Sequence, residues 1–140
     1  MVWAPLWTLT LRSMSEHNHG HVVLDEVIPL GRALRELIPD VYQGYSALSG
    51  AAMKSGAVDA KTKELIALAV AVTLRCDGCI ASHARNASSR GASREEVAEA
   101  IGVAILLNGG PGTVYGPRAF DAFAEFADAR DAARSEQDQG

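Results

Sequence analysis

The two cysteines of this chain, Cys76 and Cys79, form a Cys-x-x-Cys pair, and they are the only cysteines in its 140 residues. His83 follows Cys79 by four residues, and Glu64 precedes Cys76 by twelve. A dithiol with an imidazole and a carboxyl group nearby has the groups that thiol redox chemistry requires. The pattern therefore favours an enzyme that reduces a peroxide or a disulfide.

The spacing of these residues predicts how they are arranged on helices. Cys76 is expected where one helix ends and the next begins, so that the positive end of the helix dipole favours its thiolate. Cys79 lies one turn further along, on the same face as Cys76. His83 lies a turn beyond Cys79 and can accept its proton, directly or through a water. Glu64, on the preceding helix, would orient His83 and accept protons in turn.

The composition and the pattern of apolar residues predict an all-α fold of about six helices. Alanine is abundant, aromatic residues make up only 6% of the chain, and no segment alternates as a strand would, which favours closely packed helices. Proline and glycine breaks, together with capping residues, set the expected boundaries. The expected helices run from about Leu30 to Ile38, from Asp40 to near Gly56, from the Asp59 cap to the dithiol, from the dithiol to about Arg90 (with Gly91 as a left-handed stop), from the Ser93–Glu96 capping box to Asn108, and from about Val114 to Ala133.

The chain is expected to form one helical domain over residues 22–134. Residues 1–21 are expected to be a mobile N-terminal arm, with Met14 as an alternative start, and residues 135–140 a frayed tail. The arm includes His17, His19 and His21. These histidines are suitable ligands for a transition metal, but a mobile polar segment is the simpler interpretation.

Charge and hydropathy exclude several classes of function. The formal charge of −4 and the lack of a long basic run give little support to nucleic-acid binding. The apolar run from Leu65 to Leu74 is shorter than the roughly 20 residues that span a bilayer. The apolar run from Val2 to Leu11 has no preceding basic residue, so we expect no signal peptide. We therefore expect a cytoplasmic location, where a Cys-x-x-Cys pair is more often catalytic or metal-binding than structural.

Two other interpretations of the cysteines remain. They can be inert structural thiols, or they can be half of a zinc site. A closed structural zinc site needs four ligands, and only His83 lies near the cysteines in sequence. Redox chemistry is therefore the favoured interpretation.

The combination of Glu64, the Cys76–Cys79 pair and His83 resembles the alkyl hydroperoxidase D-like (AhpD-like) branch of the carboxymuconolactone decarboxylase family. The glycine-rich segment 108–116 resembles the segment that leads into the last helix of those proteins. The resemblance covers about residues 30–130. It implies an all-α bundle in which the dithiol opens a helix inside a small cavity, assembled as a homo-oligomer, often a trimer or a hexamer.

The resemblance also implies a role for each site residue. Cys79 would attack the peroxide and Cys76 would resolve the resulting sulfenic acid as a disulfide, although the helix end taken alone favours Cys76 as the more acidic thiol. Glu64 and His83 would form the proton relay. An external thiol donor, lipoylated or thioredoxin-like, would then reduce the disulfide. No haem, flavin or nucleotide motif is present, so no cofactor is expected.

The expected function is thus a thiol-dependent peroxidase for hydrogen peroxide or small organic hydroperoxides. The alternatives are a disulfide reductase or redox adaptor that exchanges electrons with a partner protein, and a non-catalytic oligomeric stress protein. The sequence departs from the pattern at Gly78, where the best-known members of the branch have a histidine that serves the relay. The decarboxylases that name the family lack the dithiol, so decarboxylation of a lactone is disfavoured.

Overall fold

A computed structural model of the chain describes residues 18–138, and within this range it contains six α-helices and no strand. The all-α prediction is confirmed. None of the described helices is both long enough and apolar enough to cross a membrane. The helices are α1 (His21–Leu37), α2 (Pro39–Met53), α3 (Ala60–Leu74), α4 (Asp77–Ser89), α5 (Arg94–Asn108) and α6 (Gly110–Gln137).

The core lies between α3, α4, α5 and α6, and α6 packs along both α4 and α5. Many of its buried side chains are alanines, which let the helix axes approach closely. α1 adds Leu24 to this core, whereas α2 has no buried residue. The largest fully buried apolar side chains are Phe123, Leu68, Ile80, Val72 and Val97.

The turn between α3 and α4 places the dithiol. Asp59 caps α3 as predicted, because its side chain accepts a hydrogen bond from the Thr62 backbone N–H at 2.9 Å. After α3 the chain reverses through Arg75, which is in the left-handed region with φ of 56°. The Cys76 N–H then donates to the Ala71 carbonyl at 3.2 Å. Cys76 itself is the N-cap of α4, so the predicted placement at a helix N-terminus is confirmed.

The predicted signals around α5 are also confirmed. Gly91 adopts φ of 79° just after α4, and Ser93 and Glu96 form a reciprocal capping box at the start of α5. Lys61 of α3 donates to Glu96 at 2.6 Å. This hydrogen bond holds the pKa of Glu96 below its usual value and raises the pKa of Lys61. The same residue thus caps α5 and joins it to α3.

The first two helices differ from the predicted ones. α1 begins at His21 and runs through Pro29, and Pro39 rather than Asp40 opens α2. Glu125 of α6 accepts hydrogen bonds from the backbone N–H groups of Gly20 and His21, so α1 is capped from a distant part of the chain. A proline within a helix costs stability, yet α1 continues through Pro29 to Leu37.

The predicted arm is described only in its last residues. Residues 1–17 lie outside the described range, as do the last two residues of the predicted tail. The turn at 18–20 packs on α6, where His19 Nδ1 lies 2.6 Å from Asp121 Oδ2. The His21 ring lies 4.4 Å from the ring of Phe126. At the other end, α6 continues through Gln137, within the segment expected to fray.

The glycine-rich segment is mostly the start of α6, where it contacts α5, and is not a long break between the two helices. The interruption is a single residue, Gly109, with φ of 63°, and α6 begins directly after it. A Cβ on Gly112 would lie 2.9 Å from the Ile105 Cα, and a Cβ on Gly116 would lie 2.8 Å from the Ile101 Cγ2. Both glycines therefore allow α6 to approach α5 closely.

We expect Gly112→Ala to lower the free energy of unfolding by about 1–3 kcal/mol, because its Cβ would overlap with backbone atoms of α5. Gly102→Ala is the matched control, because a Cβ there meets nothing within 4 Å. The control should be neutral or stabilise the protein by up to about 1 kcal/mol. Urea unfolding of both variants at one protein concentration measures the difference. Equal stabilities would contradict this account of the glycines.

Candidate functional site

Cys76 and Cys79 are joined by a disulfide in the first turn of α4. The backbone N–H of Cys79 points at Cys76 Sγ, with the nitrogen 3.3 Å from the sulfur. The Cys76 sulfur thus lies at the positive end of α4 beside a hydrogen-bond donor. Both features stabilise a thiolate at Cys76 once the disulfide is reduced.

The surroundings of the disulfide are partly apolar. Both cysteines are half-buried, and Cys79 packs against the hydrophobic core. Gly78, between them, faces α1, because a Cβ built there would lie 3.9 Å from both methyl groups of Val27. Val27 therefore takes part of the space beside Gly78, the position at which the sequence departs from the expected pattern.

Glu64 and His83 are brought together as the sequence pattern suggested. Glu64 Oε2 of α3 lies 2.7 Å from His83 Nδ1 of α4. The Glu64 side chain is only 2% exposed, whereas His83 is 30% exposed. With the carboxylate ionised, the Nδ1–H of His83 donates to it, which leaves Nε2 as the ring nitrogen that can take up a proton. His83 lies one turn after Cys79, so the pair contacts the same helix that carries the dithiol.

Arg90 is a third member of this cluster, and the sequence reasoning missed it. Its Nε lies 3.6 Å from Glu64 Oε1, so the buried carboxylate faces a histidine on one oxygen and an arginine on the other. Arg90 follows His83 by seven residues, which is two helical turns and the same face of α4. The seven-residue spacing between His83 and Arg90 is the sequence signal that could have indicated this contact.

A second charged group lies beside the dithiol on its outer side. Asp77, between the cysteines, has Oδ1 at 4.0 Å from a guanidinium nitrogen of Arg118 on α6. The Arg118 guanidinium lies over the ring of Tyr115, 4.8 Å from its centre. Arg118 is thus held between a carboxylate and an aromatic face. No spacing along the sequence indicated this contact, since it joins α4 to α6.

The described residues contain no group of three or more histidine, cysteine or acidic side chains arranged to hold a metal ion. Of the histidines in the arm, His19 and His21 make the contacts with α6 described above, and His17 lies outside the described range.

The model of the carboxymuconolactone decarboxylase family matches residues 39–128 of the chain, which include the four site residues predicted from the sequence. Among curated proteins, an uncharacterized protein of Haemophilus influenzae is 51% identical over 86 residues, which are 61% of this chain and 76% of that protein. An uncharacterized protein of Cupriavidus necator is 36% identical over 91 residues, 65% of this chain and 80% of that protein.

The chain is also similar to solved structures of proteins from the same family. The apo form of a carboxymuconolactone decarboxylase family protein from Legionella pneumophila has a TM-score of 0.73 and 40% identity, covering 75% of this chain and 94% of that one. A Thermotoga maritima member of the family, described in connection with an antioxidative response, has a TM-score of 0.63 and 31% identity. The match covers 73% of this chain and 92% of the Thermotoga maritima chain.

We expect His83→Ala to make the Cys79 thiol react only at higher pH, because the variant removes the proton acceptor one turn away. The rate of alkylation of Cys79 against pH, in a Cys76→Ser background, measures this. The profile should move upward by about one pH unit or more, where one unit corresponds to roughly 1.4 kcal/mol. Ser82→Ala, on the preceding residue of α4, is the control and should leave the profile in place. An unchanged profile in His83→Ala would remove His83 from the proton relay.

Proposed function

Because the chain belongs to the carboxymuconolactone decarboxylase family, we propose that it is a thiol-dependent peroxidase that reduces hydrogen peroxide or small organic hydroperoxides. The observation that carries the proposal is the disulfide-forming pair Cys76 and Cys79 at the start of α4, one turn from an imidazole held by a buried carboxylate. The antioxidative context described for the Thermotoga maritima relative supports the same chemistry.

In the first step the Cys79 thiolate attacks the terminal oxygen of the hydroperoxide. The S–O bond forms, the O–O bond breaks, and Cys79 is oxidised to the sulfenic acid while the peroxide is reduced to an alcohol or water. His83 Nε2 takes the proton from the Cys79 thiol and delivers it to the departing oxygen. Glu64 stabilises the imidazolium that exists between these two transfers.

In the second step Cys76 attacks the sulfur of the sulfenic acid. The S–S bond forms, the S–O bond breaks, and the hydroxide that leaves takes up the proton released by the Cys76 thiol to become water. The Cys79 N–H that points at Cys76 Sγ stabilises the attacking thiolate. Two electrons and two protons from an external thiol donor, lipoylated or thioredoxin-like, then return both cysteines to thiols.

A disulfide reductase is the second candidate, and the position of Cys76 favours it. Cys76 is only half-buried and caps α4, and a thiolate that attacks the disulfide of a partner protein must be accessible in this way. The same dithiol would then pass electrons between proteins without a peroxide. Rates of oxidation of the reduced dithiol by hydrogen peroxide and by a lipoyl disulfide separate the two functions, because the peroxidase should react faster with peroxide.

We expect Cys79→Ser to abolish peroxide consumption, because it removes the nucleophile. Cys76→Ser should instead stop after one turnover, with a sulfenic acid on Cys79 that has no thiol to resolve it. Mass spectrometry after one equivalent of peroxide should show an intramolecular disulfide in the unmodified protein and one added oxygen in Cys76→Ser. Full turnover by Cys79→Ser would show that the assignment of the nucleophile is wrong.

The proposed enzyme is a homo-oligomer, and the exposed apolar surface supports this. α2 exposes Val41, Tyr45 and Leu48 and buries nothing within one chain. An apolar groove between α3 and α5, with Ile66 and Leu107 among its lining residues, is likewise uncovered within the chain. Apolar area of this extent is rare on a monomer, and association with identical copies would cover it.

Light scattering at micromolar protein concentration should therefore give a mass of several chains. Leu48→Glu should shift the population toward the monomer, because it places a charge in the apolar surface of α2. Ser135→Glu, on an exposed residue near the end of α6, adds the same charge elsewhere and should leave the mass unchanged. A monomeric unmodified protein would contradict the assembly.

A further inference from the structure

Arg90 stands at the end of α4, at the opposite end of the helix from the dithiol. Its backbone caps the helix by donating to the Asn86 and Ser88 carbonyls. Its side chain is 44% exposed, yet its Nε lies 3.6 Å from the buried Glu64 Oε1. The residue therefore connects a buried carboxylate to the surface, and the capping role of its backbone does not require a charged side chain.

We infer that Arg90 is a positioning residue for the proton relay: it holds Glu64 Oε1, so that Oε2 stays oriented toward His83. The inference rests on the proposed dithiol chemistry and adds Arg90 to the residues that support it. With Oε1 held by Arg90, Oε2 faces His83 Nδ1 at 2.7 Å. The imidazole is then fixed with Nε2 as its proton-accepting nitrogen.

The charge of Arg90 matters as well as its position. A carboxylate that is 2% exposed is costly to ionise unless cations face it. Without the Arg90 guanidinium the Glu64 carboxylate is held less firmly at Oε1, so the imidazole that accepts the Cys79 proton is less well oriented and alkylation of Cys79 should require a higher pH.

Several other charged groups on the surrounding elements are engaged by partners of their own. His83 and Arg90 are the cationic groups within 4.0 Å of Glu64 in the described part of the chain. On α3, Lys61 pairs with Glu96 of α5, and Lys63 donates to the carbonyls of residues 52 and 54. On α6, Asp121 pairs with His19, and Glu125 accepts from the start of α1. Arg130 of α6 pairs with Asp131 and donates to the carbonyls of Ser88 and Ala92.

The test compares Arg90→Gln with Arg85→Gln, both in a Cys76→Ser background. Both variants remove one arginine cation from α4, but only Arg90 contacts Glu64. Alkylation of Cys79 with iodoacetamide is followed against pH. Arg90→Gln should move the profile upward by about half a pH unit or more, which is at least about a threefold loss of rate below the midpoint. Arg85→Gln should leave the profile close to that of the parent.

Arg90→Lys keeps the charge but loses the guanidinium, so it should move the profile in the same direction by less. It also provides the measurement if Arg90→Gln does not fold, with Arg85→Lys as its control. Coincident profiles for the substitutions at 90 and 85 would overturn the inference. A lower melting temperature for Arg90→Gln with an unmoved profile would also overturn it, since Arg90 would then act only on stability.

Failure of this inference can be told from failure of the proposed peroxidase, because alkylation needs no peroxide. If the protein does not consume peroxide but Arg90→Gln still shifts the alkylation profile, the positioning role of Arg90 stands and the proposed substrate is wrong. If the protein consumes peroxide but the substitutions at positions 90 and 85 give the same alkylation profile, the peroxidase proposal stands and the positioning role of Arg90 is wrong.

Discussion

The buried carboxylate of Glu64 is the constraint on which the site depends. A charge that is 2% exposed has lost nearly all its water and must be compensated by fixed partners. His83 and Arg90, two turns apart on one face of α4, provide them. Both contacts join the chain of α4 and its cap to α3, and the dithiol lies at the first turn of the same α4. Stability and chemistry therefore depend on the same contacts.

Close helix packing allows this arrangement in a small domain. Fully buried alanines on α4 and α6, such as Ala84 and Ala122, keep the space between helices narrow. Gly112 and Gly116 do the same between α5 and α6. Glu64 lies within this narrow core at 2% exposure, whereas its partners His83 and Arg90 reach the surface. The alanine-rich composition thus allows the helices that carry the site residues to pack closely.

The success of the sequence predictions depended on how local each feature is. Asp59, Gly91 and the Ser93 capping box act within a few residues, so their positions were predicted correctly. The start of α1 depends on Glu125, about a hundred residues away, and no local pattern indicates it. Glu64 and His83 were found through their spacing from the cysteines. Arg118 was missed because its partner Asp77 is close only in the folded chain.

The two thiols of the dithiol have different stabilising neighbours, and this suits them to different steps. Cys76 lies at the helix terminus with an N–H aimed at its sulfur, which favours an anion but supplies no proton. Cys79 lies one turn from an imidazole held by a carboxylate, which can take up a proton and return it. Cleavage of a peroxide leaves an oxygen anion that needs a proton, whereas attack on a sulfenic acid or a disulfide needs mainly a thiolate. Attack on peroxide therefore suits Cys79, and sulfur exchange suits Cys76, even though the helix terminus alone would make Cys76 the more acidic thiol.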